Sequence, residues 1–90
     1  MKMGKAVFKA GKLLKVFVEF DELIHRIKIT GDFFFYPEEA IAELERALEG
    51  TPVNEEEIRR RVEAFLQRPG IEAYGFDAAQ LTQAIMAACR

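Results

Sequence analysis

The sequence has one cysteine and one histidine in 90 residues. A single cysteine, Cys89, excludes a disulfide within the chain. His25 has no second histidine or cysteine near it in sequence, whereas metal sites use three or four protein ligands. No nucleophile is paired with a base in any recognisable pattern. These shortages argue against a disulfide scaffold, a metal site and an independent hydrolase or transferase.

Charge of one sign and long apolar runs are also lacking. The 13 Lys and Arg are balanced by 15 Asp and Glu, and the net charge of −2 gives no electrostatic reason to expect nucleic-acid binding. No apolar run approaches the roughly 20 residues that span a bilayer, and the first residues lack the apolar stretch of a signal peptide. We therefore expect no nucleic acid, no membrane partner and a cytoplasmic location.

Glycine-rich phosphate loops are missing as well, because Gly4 and Gly11 are isolated and neither introduces a helix. The one dense basic segment, at residues 59–61, would lie on a helix, where consecutive side chains fan out around the axis. Three glutamates precede it and are spaced for i,i+4 pairs, namely Glu55 with Arg59, Glu56 with Arg60 and Glu57 with Arg61. This spacing predicts a solvated, salt-bridged helix face.

Two segments alternate with the period of a β-strand. In "KLLKVFVEF" the even positions from Leu14 to Phe20 are apolar, and "LIHRIKITG" repeats the pattern at Ile27 and Ile29 after a turn at residues 21–22. The shorter "KAVFKA", before Gly11, is a further strand candidate. The pattern predicts a three-stranded antiparallel meander within residues 5–36.

The remainder carries helix signals. Pro37 suits a first helical position, and Gly50 suits a C-terminal cap. Asn54 with Glu57 and Asp77 with Gln80 have the spacing of N-terminal caps. These signals predict helices at about residues 37–49, 55–68 and 78–89. Strands followed by helices indicate one α+β domain, residues 1–90, in which three helices cover one face of the sheet.

An aromatic run lies between the strands and the helices, in "ITGDFFFYPEEA". If the strand continues through the run, Phe33 and Phe35 enter the core while Phe34 and Tyr36 emerge on the other face. The alternative is that the chain bends after Gly31 and all four rings pack under the helices.

Several stretches of the sequence resemble the C-terminal accessory domain of lipoate-protein ligase, in particular the archaeal form in which that domain is a separate small protein. They are Gly11-Lys12-Leu13, Ile29-Thr30-Gly31-Asp32-Phe33-Phe34, Tyr36-Pro37-Glu38-Glu39-Ala40 and the final "YGFDAAQLTQAIMAACR". The family often carries Pro-Gly-Gly before the lysine, where this chain has Lys9-Ala10-Gly11. The family fold is also similar to that of iron-sulfur scaffold and sulfur-acceptor proteins.

The resemblance implies a non-catalytic subunit that binds a large catalytic subunit and is needed for lipoate adenylation. The large subunit would hold lipoate, ATP and Mg, and would transfer the lipoyl group to a lysine of an acceptor domain, which this chain meets only indirectly. No cofactor and no activity are expected of this chain alone. Its expected partner-binding residues are Phe17, Gly31, Asp32, Phe34 and Tyr36, with Lys12 and Asp32 also able to reach the partner's active site.

Two alternatives stay open from the sequence. An iron-sulfur assembly or sulfur-acceptor scaffold would act through Cys89, which lies next to the last residue. A self-associating module would use its open sheet face to form a homodimer.

Overall fold

The computed structural model describes residues 1–10 and 12–90. Gly11, which the sequence analysis placed between two strands and in the Gly-Lys-Leu stretch, lies outside the described residues. The elements follow in the order β1 (Lys2–Ala10), β2 (Lys12–Phe20), β3 (Ile24–Gly31), β4 (Phe34–Tyr36), α1 (Ala40–Leu48), α2 (Glu55–Leu66), β5 (Glu72–Tyr74) and α3 (Ala78–Ala88).

The first three strands form the predicted antiparallel meander, in the order β1-β2-β3. Strand β1 begins at Lys2 and is therefore longer than the alternation alone indicated. The even positions of β2 turn inward, with Leu14, Val16 and Val18 almost fully buried. One face of this sheet therefore forms one side of the core.

The three helices lie on that inner face and confirm the α+β class. Helices α1 and α3 pack against the sheet, and α2 packs against both of them. Their buried residues recur at helical spacing and are Ala40, Leu44, Leu48, Ile58, Val62, Phe65, Leu81, Ala84, Ile85 and Ala88. The open edge of β3 is partly covered as well, because Ile29 donates its backbone N–H to Glu45 Oε2 at 2.7 Å.

Two of the predicted helix starts are confirmed by their caps. The Asn54 side chain accepts a hydrogen bond from the backbone N–H of Glu57 at 3.1 Å. Asp77 and Gln80 form both bonds of a capping box, at 2.8 and 3.0 Å. Each side-chain oxygen satisfies a backbone donor that a helix start leaves free.

The start predicted for the first helix is wrong. Pro37 is not its first residue, since residues 37–39 form a turn and the helix begins at Ala40. Ala40 donates to the Pro37 carbonyl at 2.9 Å, and Ile41 donates to the Glu38 carbonyl at 3.2 Å. These i,i+3 bonds form a tight turn that leads into α1.

Only one of the three predicted pairs on α2 forms within the described residues, between Glu56 and Arg60 at 3.5 Å. Arg60 also contacts Glu57 at 3.5 Å, and Arg59 turns toward Glu63 at 4.0 Å. The α2 face is still salt-bridged, but Arg59 contacts Glu63 instead of the predicted Glu55, and Arg60 contacts Glu57 in addition to its predicted partner.

Candidate functional site: an aromatic surface on a second sheet

The aromatic run begins with a change of sheet at Gly31. This residue has a φ of 147°, and a Cβ on it would collide with the Leu13 carbonyl oxygen. Only glycine combines that backbone conformation with so close an approach to β2. Asp32 then donates its backbone N–H to the same oxygen at 2.9 Å. Strand pairing with β2 ends at Gly31, and the chain leaves the three-stranded sheet after it.

The strand that follows, β4, pairs with β5 to form a separate two-stranded antiparallel sheet. Phe34 lies opposite Tyr74, and Tyr36 lies opposite Glu72. These four residues point to the same side of the small sheet because side chains alternate along each strand. The second sheet was not predicted from the sequence, and β5 supplies one wall of the site.

Three rings project from that side, and we call Phe34, Tyr36 and Tyr74 the aromatic surface. They are 59%, 56% and 56% exposed, respectively. The Phe34 and Tyr74 rings meet with centroids 6.0 Å apart. Large aromatic side chains that share one exposed face are unusual unless a partner covers them.

The alternate aromatic residues turn inward and support this surface. Phe35 is 5% exposed and stacks on the buried Phe76 at 6.1 Å, while Phe33 meets Phe76 edge-on at 5.0 Å. The predicted division of the run into two inner and two outer rings is therefore confirmed. The alternative, in which all four rings pack under the helices, is wrong, although the chain does change direction after Gly31.

A shallow groove runs beside the aromatic surface. It has a volume of about 200 Å³ and is lined by Phe33, Phe34, Phe35, Glu38 and Ile41. Its floor is aromatic and its rim carries one carboxylate. Such a groove can accept an apolar side chain of a partner, with Glu38 available to a donor at the edge.

Lys12 and Asp32 lie at the edge of this region. The side-chain stem of Lys12 passes Gly75, since a Cβ on that glycine would lie 2.9 Å from Lys12 Cγ and 3.1 Å from Phe33 Cβ. Gly75 directly follows Tyr74, so the exposed Lys12, at the start of β2, lies next to the end of β5. Asp32 is exposed and precedes Phe33.

Phe17 does not belong to this cluster. It lies on the three-stranded sheet, opposite Lys5 on β1 and Lys28 on β3, and is half-buried. Phe34 and Tyr36 lie on the other sheet, so the structure separates Phe17 from the two other aromatic residues that were predicted to bind the partner.

The Tyr74 hydroxyl is hydrogen-bonded to a carboxylate of its own strand. The Tyr74 hydroxyl donates to Glu72 Oε1 at 3.2 Å, and this hydrogen bond, together with the negative charge of Glu72, raises the pKa of Tyr74. The phenol therefore stays protonated at neutral pH and serves as a hydrogen-bond donor.

The remaining candidates have local explanations. His25 Nε2 lies 2.8 Å from Asp21 Oδ1, on the turn between β2 and β3. The backbone N–H of Leu23 lowers the pKa of Asp21, and the hydrogen bond to His25 lowers it further. Burial raises the pKa of the Cys89 thiol, which favours its unreactive protonated form.

Neither metal chemistry nor a membrane span is indicated for the part of the chain that the structure describes. Residues 1–10 and 12–90 contain no group of three His, Cys, Asp or Glu side chains arranged to hold a metal ion. Among the same residues, no helix is long and apolar enough to cross a bilayer.

Sequence reasoning missed Tyr74, Glu72 and the whole of β5. In the sequence, β5 is marked only by a three-residue alternation in "EAY" and by the glycine that follows it. In the structure this glycine, Gly75, has a φ of 108°. A strand this short becomes recognisable only when its partner strand is known, because hydrophobic periodicity needs at least four residues to be distinctive.

Comparison with known proteins agrees with this arrangement. Residues 4–85 match the family model described as the bacterial lipoate protein ligase C-terminus. A solved chain from an archaeal lipoylation system of Thermoplasma acidophilum, comprising a bi-partite lipoate protein ligase and its E2 lipoyl domain, is 31% identical, with a TM-score of 0.82 over 93% of this chain and 94% of that chain. No curated protein matches the sequence. The chain belongs to the family of lipoate protein ligase C-terminal domains.

Proposed function

We propose that this protein is the accessory subunit of a two-protein lipoate ligase in the cytoplasm, and that it acts by binding a large catalytic subunit through the aromatic surface. The observation that carries the proposal is the outward projection of Phe34, Tyr36 and Tyr74 from a sheet whose inner side is packed with aromatic residues. Family membership supports the ligase context, and the similar archaeal ligase is bi-partite.

A partner that covers the aromatic surface removes its apolar area from water, which favours binding. Aromatic side chains dominate the energetics of protein interfaces because each removes a large apolar area from water with few rotatable bonds. The rings are held in place before binding, since Phe33 and Phe35 fix the small sheet against Phe76. Little ordering free energy is then lost when the partner docks.

The large subunit would hold lipoate and ATP with Mg²⁺. There the lipoate carboxylate would attack the α-phosphorus of ATP and displace pyrophosphate, which gives a mixed anhydride of lipoate and AMP. In this mechanism the present chain contributes no reacting group. Docking orders the substrate-binding loops of the large subunit and excludes water while the anhydride forms, which protects a hydrolysable intermediate. We also propose that Lys12, next to the end of β5, and Asp32, at the junction of the two sheets, reach toward that site.

The proposal is tested by measuring binding to the large subunit from the same organism, by calorimetry, with the variant F34S/Y36S/Y74S. We expect the dissociation constant to rise at least about 100-fold, because three exposed aromatic anchors are removed. Circular dichroism and the thermal midpoint should stay close to those of the original protein, since all three side chains are more than half exposed.

The variant M3S/V7S is a matched control because Met3 and Val7 are also exposed apolar residues, 70% and 62% respectively, but lie on β1. It should bind the large subunit as the original protein does. Unchanged binding by F34S/Y36S/Y74S would contradict the proposed interface. Failure of the original protein to bind the large subunit at all would contradict the proposed function.

A further inference from the structure

The outer face of the three-stranded sheet is a second surface with a different chemistry. Residues that pair across the three strands form rows on this face, each with its β2 residue in the middle. Glu19 lies between Met3 and Arg26, and Phe17 lies between Lys5 and Lys28. Lys15 lies between Val7 and Thr30, and Leu13 has Lys9 beside it. Residues of one row point to the same side of the sheet. We call the five basic members of these rows the basic face: Lys5, Lys9, Lys15, Arg26 and Lys28.

All five basic side chains are exposed, and Glu19 is the one acidic residue among them. The chain as a whole has a net charge of −2, so positive charge is concentrated on this sheet while the remainder of the molecule is acidic. Such segregation produces a local potential that the net charge conceals.

Within residues 1–10 and 12–90 the basic face is short of partners for its charges, since Glu19, opposite Arg26, is its one acidic residue. Among the described residues, none of its five side chains forms a salt bridge, whereas Arg59 and Arg60 of α2 contact glutamates at 3.5 to 4.0 Å. Five like charges on one face of a sheet repel one another, and an opposite charge from another molecule would relieve this repulsion. The same repulsion opposes a homodimer formed face to face on this sheet.

The centre of the basic face is apolar. Phe17 is half-buried between Lys5 and Lys28, and Val7 lies in the next row at 62% exposure. An aliphatic and aromatic centre ringed by charge is the composition of a protein interface. Nucleic-acid binding to a sheet favours several stacked aromatic platforms, whereas this face has one partly covered ring.

We propose that the basic face binds the lipoyl acceptor domain directly, through an acidic surface of that domain, and holds it while the large subunit transfers the lipoyl group. The proposal rests on the proposed function, which supplies the acceptor as the remaining component of the reaction; the similar archaeal system likewise includes an E2 lipoyl domain. The acceptor would therefore contact this chain itself and not only the large subunit.

The two surfaces suit two kinds of partner. An apolar aromatic surface favours a long-lived subunit interface, whereas charged, hydrated surfaces favour rapid and reversible encounters. An acceptor domain must arrive unmodified and leave modified in every turnover, so fast dissociation is required of its docking site. The exposed lysines match that requirement.

The experiment measures lipoyl transfer by the complex of large subunit and this chain, with the acceptor domain from the same organism as the varied substrate. For the variant K5E/K15E/K28E we expect the KM for the acceptor to rise about tenfold or more, with kcat nearly unchanged, because charge reversal acts on encounter and docking. Rising ionic strength should raise the KM for the acceptor more with the original protein than with this variant. The rate of lipoyl-adenylate formation should not change.

Two matched variants separate this site from general charge effects. K5R/K15R/K28R keeps the charge and should keep the KM. R59E/R60E/R61E makes the same change in net charge on α2 and should also leave the KM unchanged. A KM that is unaffected by K5E/K15E/K28E, or raised equally by the α2 variant, would overturn the proposal.

Two further outcomes are distinguishable. If K5E/K15E/K28E abolishes binding to a short DNA duplex, measured by fluorescence anisotropy, while the KM for the acceptor is unchanged, the basic face is a nucleic-acid site and the proposal is overturned. If the large subunit does not bind this chain, or adenylates lipoate equally well alone, the proposed function has failed. If adenylation is intact and K5E/K15E/K28E leaves the KM for the acceptor unchanged, the proposed acceptor site is contradicted but the proposed function is not.

Discussion

The aromatic surface and the basic face are built on neighbouring sheets from strands that follow one another, yet they differ in how each is supported. Behind Phe34 and Tyr36 lie the packed rings of Phe33, Phe35 and Phe76. Long lysine and arginine side chains cover the other surface, and their charged ends remain in water. The difference indicates that one small domain can combine an apolar surface supported by packed rings with a charged surface exposed to water.

The change from one surface to the other occurs at Gly31. On its N-terminal side the chain belongs to the three-stranded sheet, and on its C-terminal side it pairs with β5. The backbone conformation of a single residue therefore separates two surfaces that the sequence presents as one continuous alternation.

The largest loss of stability is expected when a ring that supports the aromatic surface from inside is removed. Phe35→Ala removes a ring that is 5% exposed and stacked on Phe76, and should lower the free energy of unfolding by about 3–5 kcal/mol. Phe34→Ala, one residue earlier and 59% exposed, should change it by less than about 0.5 kcal/mol. Urea denaturation monitored by circular dichroism measures both. Equal losses would show that Phe34 is part of the core and not an exposed anchor.

A smaller effect is expected at the junction of the two sheets. Gly31→Ala places a Cβ against the Leu13 carbonyl at a φ of 147°, and should cost about 1–3 kcal/mol. It should also weaken binding to the large subunit, although no aromatic side chain is removed. Gly50→Ala is the matched control, because Gly50 also has a positive φ, of 83°, but no atom of residues 1–10 or 12–90 lies within 4 Å of its added Cβ. Equal binding losses in both variants would contradict the role given to Gly31.

The smallest effect concerns Cys89, which belongs to neither surface. Because burial raises its thiol pKa, less thiolate is present at neutral pH than in an exposed cysteine, and alkylation by iodoacetamide should be slower and should accelerate only at higher pH. Unfolding in urea should remove the difference. Fast labelling of the folded protein at neutral pH, or uptake of persulfide, would favour the sulfur-acceptor alternative.

Most of the fold could be predicted from local signals. The alternation from Leu14 to Phe20 identified the buried face of β2, and Asn54 and Asp77 marked two helix starts by side-chain bonds that span three residues. These features depend on neighbours in sequence. The turn at residues 37–39 misled the prediction because proline is favoured both in turns and at a first helical position.

The candidate site was predicted only in part, for reasons of distance along the chain. Alternation separated Phe34 and Tyr36 from Phe33 and Phe35, as the structure confirms. The contact with Tyr74 joins residues 40 positions apart, and no local pattern reports such a pairing. The charge concentration on the sheet was hidden for the same reason, because its lysines come from three strands and become neighbours only through the register.

The central claim is that this chain enables a large subunit to adenylate lipoate by docking through the aromatic surface. The most direct measurement is lipoate-dependent pyrophosphate release by the large subunit from the same organism, alone, with this protein, and with F34S/Y36S/Y74S. We expect pyrophosphate release only in the mixture with the original protein, and little release with the variant. Equal release by the large subunit alone would contradict the central claim.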